Sequence, residues 1–94
     1  MPEMIFRVRW PDASVSDCYS PSTVIQQHLQ AGQSYPLPDF VARCHAALHE
    51  ASARVQRKYG YACSSALDQL AQIEQRARQF DADDGAVVVV ERID

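Results

Sequence analysis

Glycine is scarce in this chain, which has 3 glycines among its 94 residues. A nucleotide or phosphate cradle depends on glycines that let the backbone approach the ligand closely. The sequence also has no glycine-rich phosphate loop, no Ser-His-Asp pattern and no Cys-x-x-Cys pair. Nucleotide-binding, serine hydrolase and dithiol redox activities therefore gain no support, and we predict no cofactor.

Clusters of positive charge and long apolar runs are missing as well. The 9 Lys and Arg residues are scattered among 12 acids, and the net charge is -3. Binding to nucleic acid requires clustered positive charge at the phosphates. No apolar stretch approaches the length of a membrane span, and no signal peptide precedes the first predicted strand. We therefore expect neither nucleic acid nor a membrane as a partner.

The three cysteines, Cys18, Cys44 and Cys63, are odd in number and widely spaced. This spacing does not indicate a disulfide framework, so we expect a reducing, cytoplasmic location. Hydrophobic residues make up 47% of the chain, which is enough for one compact domain over residues 1–94. Because so small a domain buries a modest share of its surface, a homodimer that covers a sheet face is expected.

Alternating apolar and polar residues predict a strand at 4–10, with Phe6, Val8 and Trp10 on one face. A turn at 11–14 leads to a short, polar return strand at 15–19, as suits a sheet edge. A last strand is predicted at 86–93. Its residues 87–90 are apolar in both phases, which is typical of a strand covered on both faces, central or at a dimer contact.

Three helices are predicted between these strands. The first is short, with Ser20 as its cap and Pro21 at its first position, and it ends at Gly32. The second covers 38–59, where apolar residues form one stripe, and Gly60 is its left-handed stop. The third covers 65–80. Residues 34–37 are predicted to be a linker.

The predicted fold is therefore α+β with the element order β-β-α-α-α-β. The two long helices form an antiparallel hairpin. This hairpin covers the Phe6, Val8 and Trp10 face of a three-stranded sheet. The last strand is expected to pair with the first, which gives the spatial order 2-1-3.

Three strings of residues occur together: MIFRVRWPD at 4–12, DCYSPST at 17–23 and YGYACSSA at 59–66. In this combination the chain resembles, over nearly its whole length, a small bacterial family of nitrogen-starvation response proteins. Members of that family are typically encoded beside a nitrilase-type carbon–nitrogen hydrolase, a radical S-adenosylmethionine protein and an acetyltransferase. The resemblance implies a role in that pathway, and it brings no catalytic residue with it.

Two of these strings place a cysteine just before a serine-rich helix start. A helix N-terminus offers unpaired N–H groups and a positive dipole end, which lower a thiol pKa or hold an anion. Cys63 is the candidate nucleophile, and it would need a histidine as its base. The alternative is that the cysteines are packed as small apolar residues and that the serines only cap helices. The candidate ligand-binding residues are Cys18, Tyr19, Ser20, Ser22, Tyr61, Cys63, Ser64 and Ser65.

A second candidate site is the pair His45 and His49. Their i,i+4 spacing places both imidazoles on one helix face, as in zinc sites. Glu50 lies outside the pair, so the His-Glu-x-x-His motif is not formed and a third ligand must come from elsewhere. The alternative is two surface histidines without a metal.

The function predicted from these observations is that of a non-catalytic accessory protein in a nitrogen-starvation response pathway. We expect a homodimer that contacts a protein partner through Trp10, Val88, Val90 and the outer sheet face. The alternative is a thiol-dependent enzyme, or a binder of a small molecule or anion, centred on Cys63. Cys18, Tyr61 and Ser64 would then lie nearby.

Overall fold

The computed structural model of the chain describes residues 3–60, 64–80 and 85–94. It has the predicted α+β class, with an antiparallel sheet and three helices. In chain order the elements are β1 (Met4–Arg9), β2 (Val15–Ser20), α1 (Ile25–His28), β3 (Ser34–Pro36), α2 (Leu37–Tyr59), α3 (Ser64–Arg78) and β4 (Val87–Ile93).

The sheet has four strands in the order β2-β1-β4-β3, so the prediction of three strands in the order 2-1-3 is wrong in its count. The first, second and last strands take their predicted places. The additional strand is β3, which was predicted to be part of a linker. It has only 3 residues and ends in Pro36, so its alternation is too short to detect, and its pairing with 87–89 of β4 creates it.

The core lies between the inner face of the sheet and the helices. Phe6 and Val8 are fully buried, as their shared face predicts. On α2 the apolar stripe is buried from Leu37 to Val55, and on α3 it is buried from Ala66 to Ala77. Gly60 ends α2 in the left-handed conformation (φ 83°), and its N–H donates to the Gln56 carbonyl, as predicted.

The other face of the sheet is not covered within the described part of the chain. On β4, Val88 and Val90 are fully buried, whereas Val87 is exposed, so the prediction that both faces are covered fails within one protomer. Trp10, Val88 and Val90 were predicted for an interface, but they are buried in the core instead. We call the uncovered surface the outer face. It carries Ile5, Arg7, Arg9, Val15, Asp17, Tyr19, Val87, Val89 and Arg92.

The first helix is one turn long rather than the predicted segment from Ser20 to Gly32. Ser20 is the last residue of β2, and its hydroxyl donates to the Ser22 carbonyl at 2.8 Å instead of capping a helix. The helix ends because Leu29 is extended and the Gln30 N–H donates to the Tyr35 hydroxyl at 2.9 Å. Tertiary contacts with β3 therefore override the local helical pattern.

None of the helices in the described ranges combines the length and apolar character that crossing a bilayer requires.

Candidate functional site: the groove between β2 and α3

Strand β2 forms one edge of the sheet. Its pairing with β1 determines which of its backbone groups point away from the sheet. Ile5 exchanges both backbone hydrogen bonds with Asp94, so it is directed away from β2. Backbone groups alternate along an antiparallel strand, so Met4, Phe6 and Val8 pair with β2. The backbone groups that point outward from the edge therefore belong to Val15, Asp17 and Tyr19.

Helix α3 runs alongside this edge. Near its start, the Gln69 side-chain oxygen accepts a hydrogen bond from the Tyr19 N–H at 3.0 Å. Near its end, the Arg76 guanidinium donates to the Asp12 carboxylate at 3.3 Å and to the Ser14 hydroxyl.

The space between strand and helix contains two adjoining hollows of about 370 Å³ and about 290 Å³. We call them together the β2–α3 groove. Gln69 and Gln72 line both hollows, which makes the groove continuous. The other lining residues are Trp10, Ser16, Asp17, Cys18, Tyr19, Ser65, Asp68, Ile73 and Arg76.

The charges along the groove are mostly paired. The hydrogen bond from Arg7 at 2.8 Å holds the pKa of Asp17 below its ordinary value. Hydrogen bonds from Ser14 likewise lower the pKa of Asp12, which also pairs with Arg76. Asp68 makes no ion pair with any described residue. Asp68, at the end of the groove where Tyr19 lies, is therefore an acid without an ion pair in the described part of the chain.

Cys18 forms part of the groove floor, but its thiol is not activated. Burial, followed by the charge of Asp17, raises the pKa of Cys18 to about 12. Burial also raises the pKa of Cys44 well above its ordinary value. Because the thiolate is the nucleophilic form, neither thiol is suited to nucleophilic chemistry near neutral pH.

The structure brings together some of the sequence-predicted ligand residues. Tyr19 and Ser65 line the same hollow, so the two cysteine-serine segments do converge at one end of the sheet. Ser20, at the end of β2, and Ser22, in the turn that follows, lie apart from it and are buried; the Ser22 hydroxyl accepts from the Val24 N–H at 3.1 Å. Ser64 begins α3 and is exposed. Tyr61 and Cys63 lie outside the described residues.

His45 and His49 are exposed on α2, and their rings stack with centroids 4.2 Å apart. Among the described residues, no group of three or more His, Cys, Asp or Glu side chains is arranged to hold a metal ion. The third ligand that a zinc site would require is therefore not provided by the described part of the chain.

Of the residues that α3 contributes to the groove, Ser65 was predicted as a site residue, whereas Gln69, Gln72 and Arg76 were not. Ser65, Gln69, Gln72 and Arg76 follow the i, i+4, i+7, i+11 spacing of one helix face. This polar stripe lies beside the apolar stripe of α3, and no prediction was made for its residues after Ser65. The spacing of these residues could have indicated a shared polar face on α3. Only the position of β2 in the structure shows what that face contacts.

Replacing Gln69 with alanine is expected to lower the free energy of unfolding by about 1 kcal/mol, since the Tyr19 N–H loses its acceptor. Chemical denaturation measures the change. Gln69→Glu keeps an acceptor oxygen and should retain most of the stability. Equal losses in both variants would show that the hydrogen bond does not stabilise the edge.

Comparison with known proteins identifies a family but no individual relative. No curated protein and no solved structure matches the chain significantly. The model of one family, the nitrogen starvation-induced proteins NitG, matches residues 5–93. Since this range spans nearly the whole chain, the protein belongs to the NitG family of nitrogen starvation-induced proteins.

Proposed function

We propose that the protein is a non-catalytic accessory protein of the nitrogen-starvation response, a homodimer that also contacts a protein of the same pathway. One observation carries this proposal: the outer face has exposed apolar side chains with nothing from the described chain above them. Ile5 is 42% exposed, Val15 46% and Val87 41%. They are three of the five large hydrophobic side chains that are exposed in the described ranges.

The charges of the outer face suit contact with an identical surface. Arg7 pairs with Asp17 at 2.8 Å, and Arg9 pairs with Glu91 at 2.7 Å. Arg92 pairs with the neighbouring Asp94 at 3.1 Å. Because each cation has an acid beside it, two copies can meet face to face without like-charge repulsion. Such a face also requires no strongly charged partner.

The edges of the sheet are less suited to pairing two copies. β3 is short and ends in a proline, and β2 has α3 beside it. Packing of one face against another is therefore the preferred mode for the dimer.

Charged substitutions on the outer face are expected to convert the dimer to a monomer. Ile5→Lys and Val87→Lys each place an unpaired cation within the proposed contact, where its desolvation opposes association. Size-exclusion chromatography with light scattering measures the mass. Leu67→Lys is the matched control, since Leu67 is 39% exposed but lies on α3.

The dimer proposal predicts that the unmodified chain and Leu67→Lys are dimers, whereas the two outer-face variants are monomers. An unmodified chain that is monomeric at working concentration would contradict the dimer proposal. Equal disruption by Leu67→Lys would place the contact elsewhere.

The proposed pathway partner rests on the family and on the type of genes found beside its members. We expect affinity purification from nitrogen-starved cells to recover a pathway protein such as a nitrilase-type carbon–nitrogen hydrolase. Nitrogen-replete cells supply the comparison. Recovery of no pathway protein under starvation would count against this part of the proposal.

The alternative is a thiol-dependent enzyme, or a binder of a small molecule or anion, centred on Cys63. The convergence of Tyr19 and Ser65 on one hollow supports the binding form of this alternative. Titration with iodoacetamide across pH distinguishes the two proposals. A low pKa at Cys63 would favour the alternative, and a Cys63 that reacts only after unfolding would remove it.

A further inference from the structure

We propose that the β2–α3 groove binds an extended peptide segment of a protein partner, which adds to the sheet as a strand beside β2. This inference rests on the proposed function in that the protein acts through contacts with other proteins. The inference goes further because it states how the partner binds. It places this contact at the edge of β2, whereas the proposed dimer forms through the outer face.

The outward-pointing backbone groups of β2 are the first feature that suits an added strand. The outward N–H groups of Val15 and Asp17 have no hydrogen-bond acceptor among the described residues. An unpaired strand edge is a template for another strand. The outward N–H of Tyr19 already has an acceptor. The side-chain oxygen of Gln69 accepts it at 3.0 Å, as a carbonyl oxygen of an added strand would.

Helix α3 supplies the opposite wall. An added strand beside Val15 and Asp17 would present its second row of backbone groups to the side chain of Gln72, which lines both hollows. An amide side chain both donates and accepts, so it can satisfy a peptide N–H or carbonyl. The groove floor contains Trp10, Cys18 and Ile73, all buried, where an apolar side chain of the segment can pack.

Charge defines the segment further. Asp17 and Arg76 are already paired, with Arg7 and Asp12 respectively, so they require no partner charge. Asp68 has no ion pair with the described residues and lines the hollow at the Tyr19 end. The segment should therefore alternate apolar and polar residues and carry a lysine or arginine at that end.

The probe is the synthetic peptide acetyl-Lys-Thr-Val-Ser-Val-Thr-amide, titrated into the full chain and followed by backbone amide NMR. We expect saturable shifts at the amides of β2 and along the groove side of α3. A twin peptide that is N-methylated at alternate residues cannot add as a strand, and it should cause no shifts. Shifts spread over the outer-face residues of β1 and β4, or no shifts at all, would overturn the inference.

Asp17→Pro tests the edge directly. Proline removes the outward N–H, and the ladder bonds to β1 remain because they belong to the neighbouring residues. Peptide binding should weaken about tenfold, the expected effect of one lost hydrogen bond. Asp17→Asn is the matched control, since it loses the same carboxylate but keeps the N–H, and it should bind the peptide more tightly than Asp17→Pro. Equal binding by both variants would overturn strand addition.

The oligomeric state of the same variants separates this inference from the proposed dimer. Ile5→Lys should be monomeric and still bind the peptide. If the unmodified chain were a dimer but did not bind the peptide, the groove inference alone would be overturned. If Asp17→Pro abolished the dimer and Ile5→Lys did not, the strand in the groove would come from a second copy, and the peptide inference would be wrong.

Discussion

Replacing Phe40 with alanine is expected to lower the free energy of unfolding by about 3–5 kcal/mol. Phe40 is fully buried near the start of α2, and its ring meets that of Trp10 edge to face, with centroids 5.7 Å apart. The ring fills the space between the helix and the end of β1, so its removal leaves a cavity. A domain of 94 residues has a total stability of roughly 5–14 kcal/mol, so the loss is a large share of it.

Urea denaturation measures the change, and Tyr59→Ala is the matched control. Tyr59 is an aromatic residue on the same helix, but it is 51% exposed. We expect its replacement to change stability by about 0.5 kcal/mol or less. If Phe40→Ala lost no more stability than Tyr59→Ala, the contact between α2 and β1 would not hold the two layers together.

Stability is expected to fall steeply above pH 9, and the titration of Cys18 is one cause. Its pKa is raised from 9.0 in an unfolded chain to about 12 in the folded protein, chiefly by burial. Below pH 9 the thiol is protonated in both states, so its contribution is constant. Between the two pKa values only the unfolded chain loses the proton, which favours unfolding by about 1.4 kcal/mol per pH unit. Cys44, also raised, acts in the same direction.

Urea denaturation at neutral pH and at several values above pH 9 tests this expectation. Cys18→Ala should show a shallower decline, although a small cavity makes it less stable at neutral pH. Gln69→Ala is the control, because it is destabilised without the loss of an ionisable group. If Cys18→Ala and Gln69→Ala declined in parallel with the unmodified chain, Cys18 would not be a buried neutral thiol.

Patterns that are local and long could be predicted from the sequence. The alternation through Phe6 and Val8 identified the inner face of β1, and the stripe ending at Gly60 identified α2 and its stop. Features created by tertiary pairing could not be predicted. Strand β3 has 3 residues and depends on β4, and the truncation of α1 depends on the hydroxyl of Tyr35.

The candidate site was predictable only in part, for the same reason. Tyr19 and Ser65 were both predicted as ligand-binding residues, with no prediction of the distance between them, and they line one hollow. Cys18, predicted either as a ligand-binding residue or as a packed apolar residue, is buried. Gln69 was not recognised, because a glutamine on a polar helix face gains its role only from the strand edge beside it.

The most direct test of a contact through the outer face is the relaxation that a soluble paramagnetic agent causes at side-chain methyl groups, measured by NMR on concentrated and diluted protein. The proposed dimer predicts that the methyl groups of Ile5 and Val87 are shielded in concentrated protein and become accessible on dilution. The methyl groups of Leu67 should be accessible in both. Equal access to Ile5 and Val87 at every concentration, with the same access as at Leu67, would contradict a homodimer formed through the outer face.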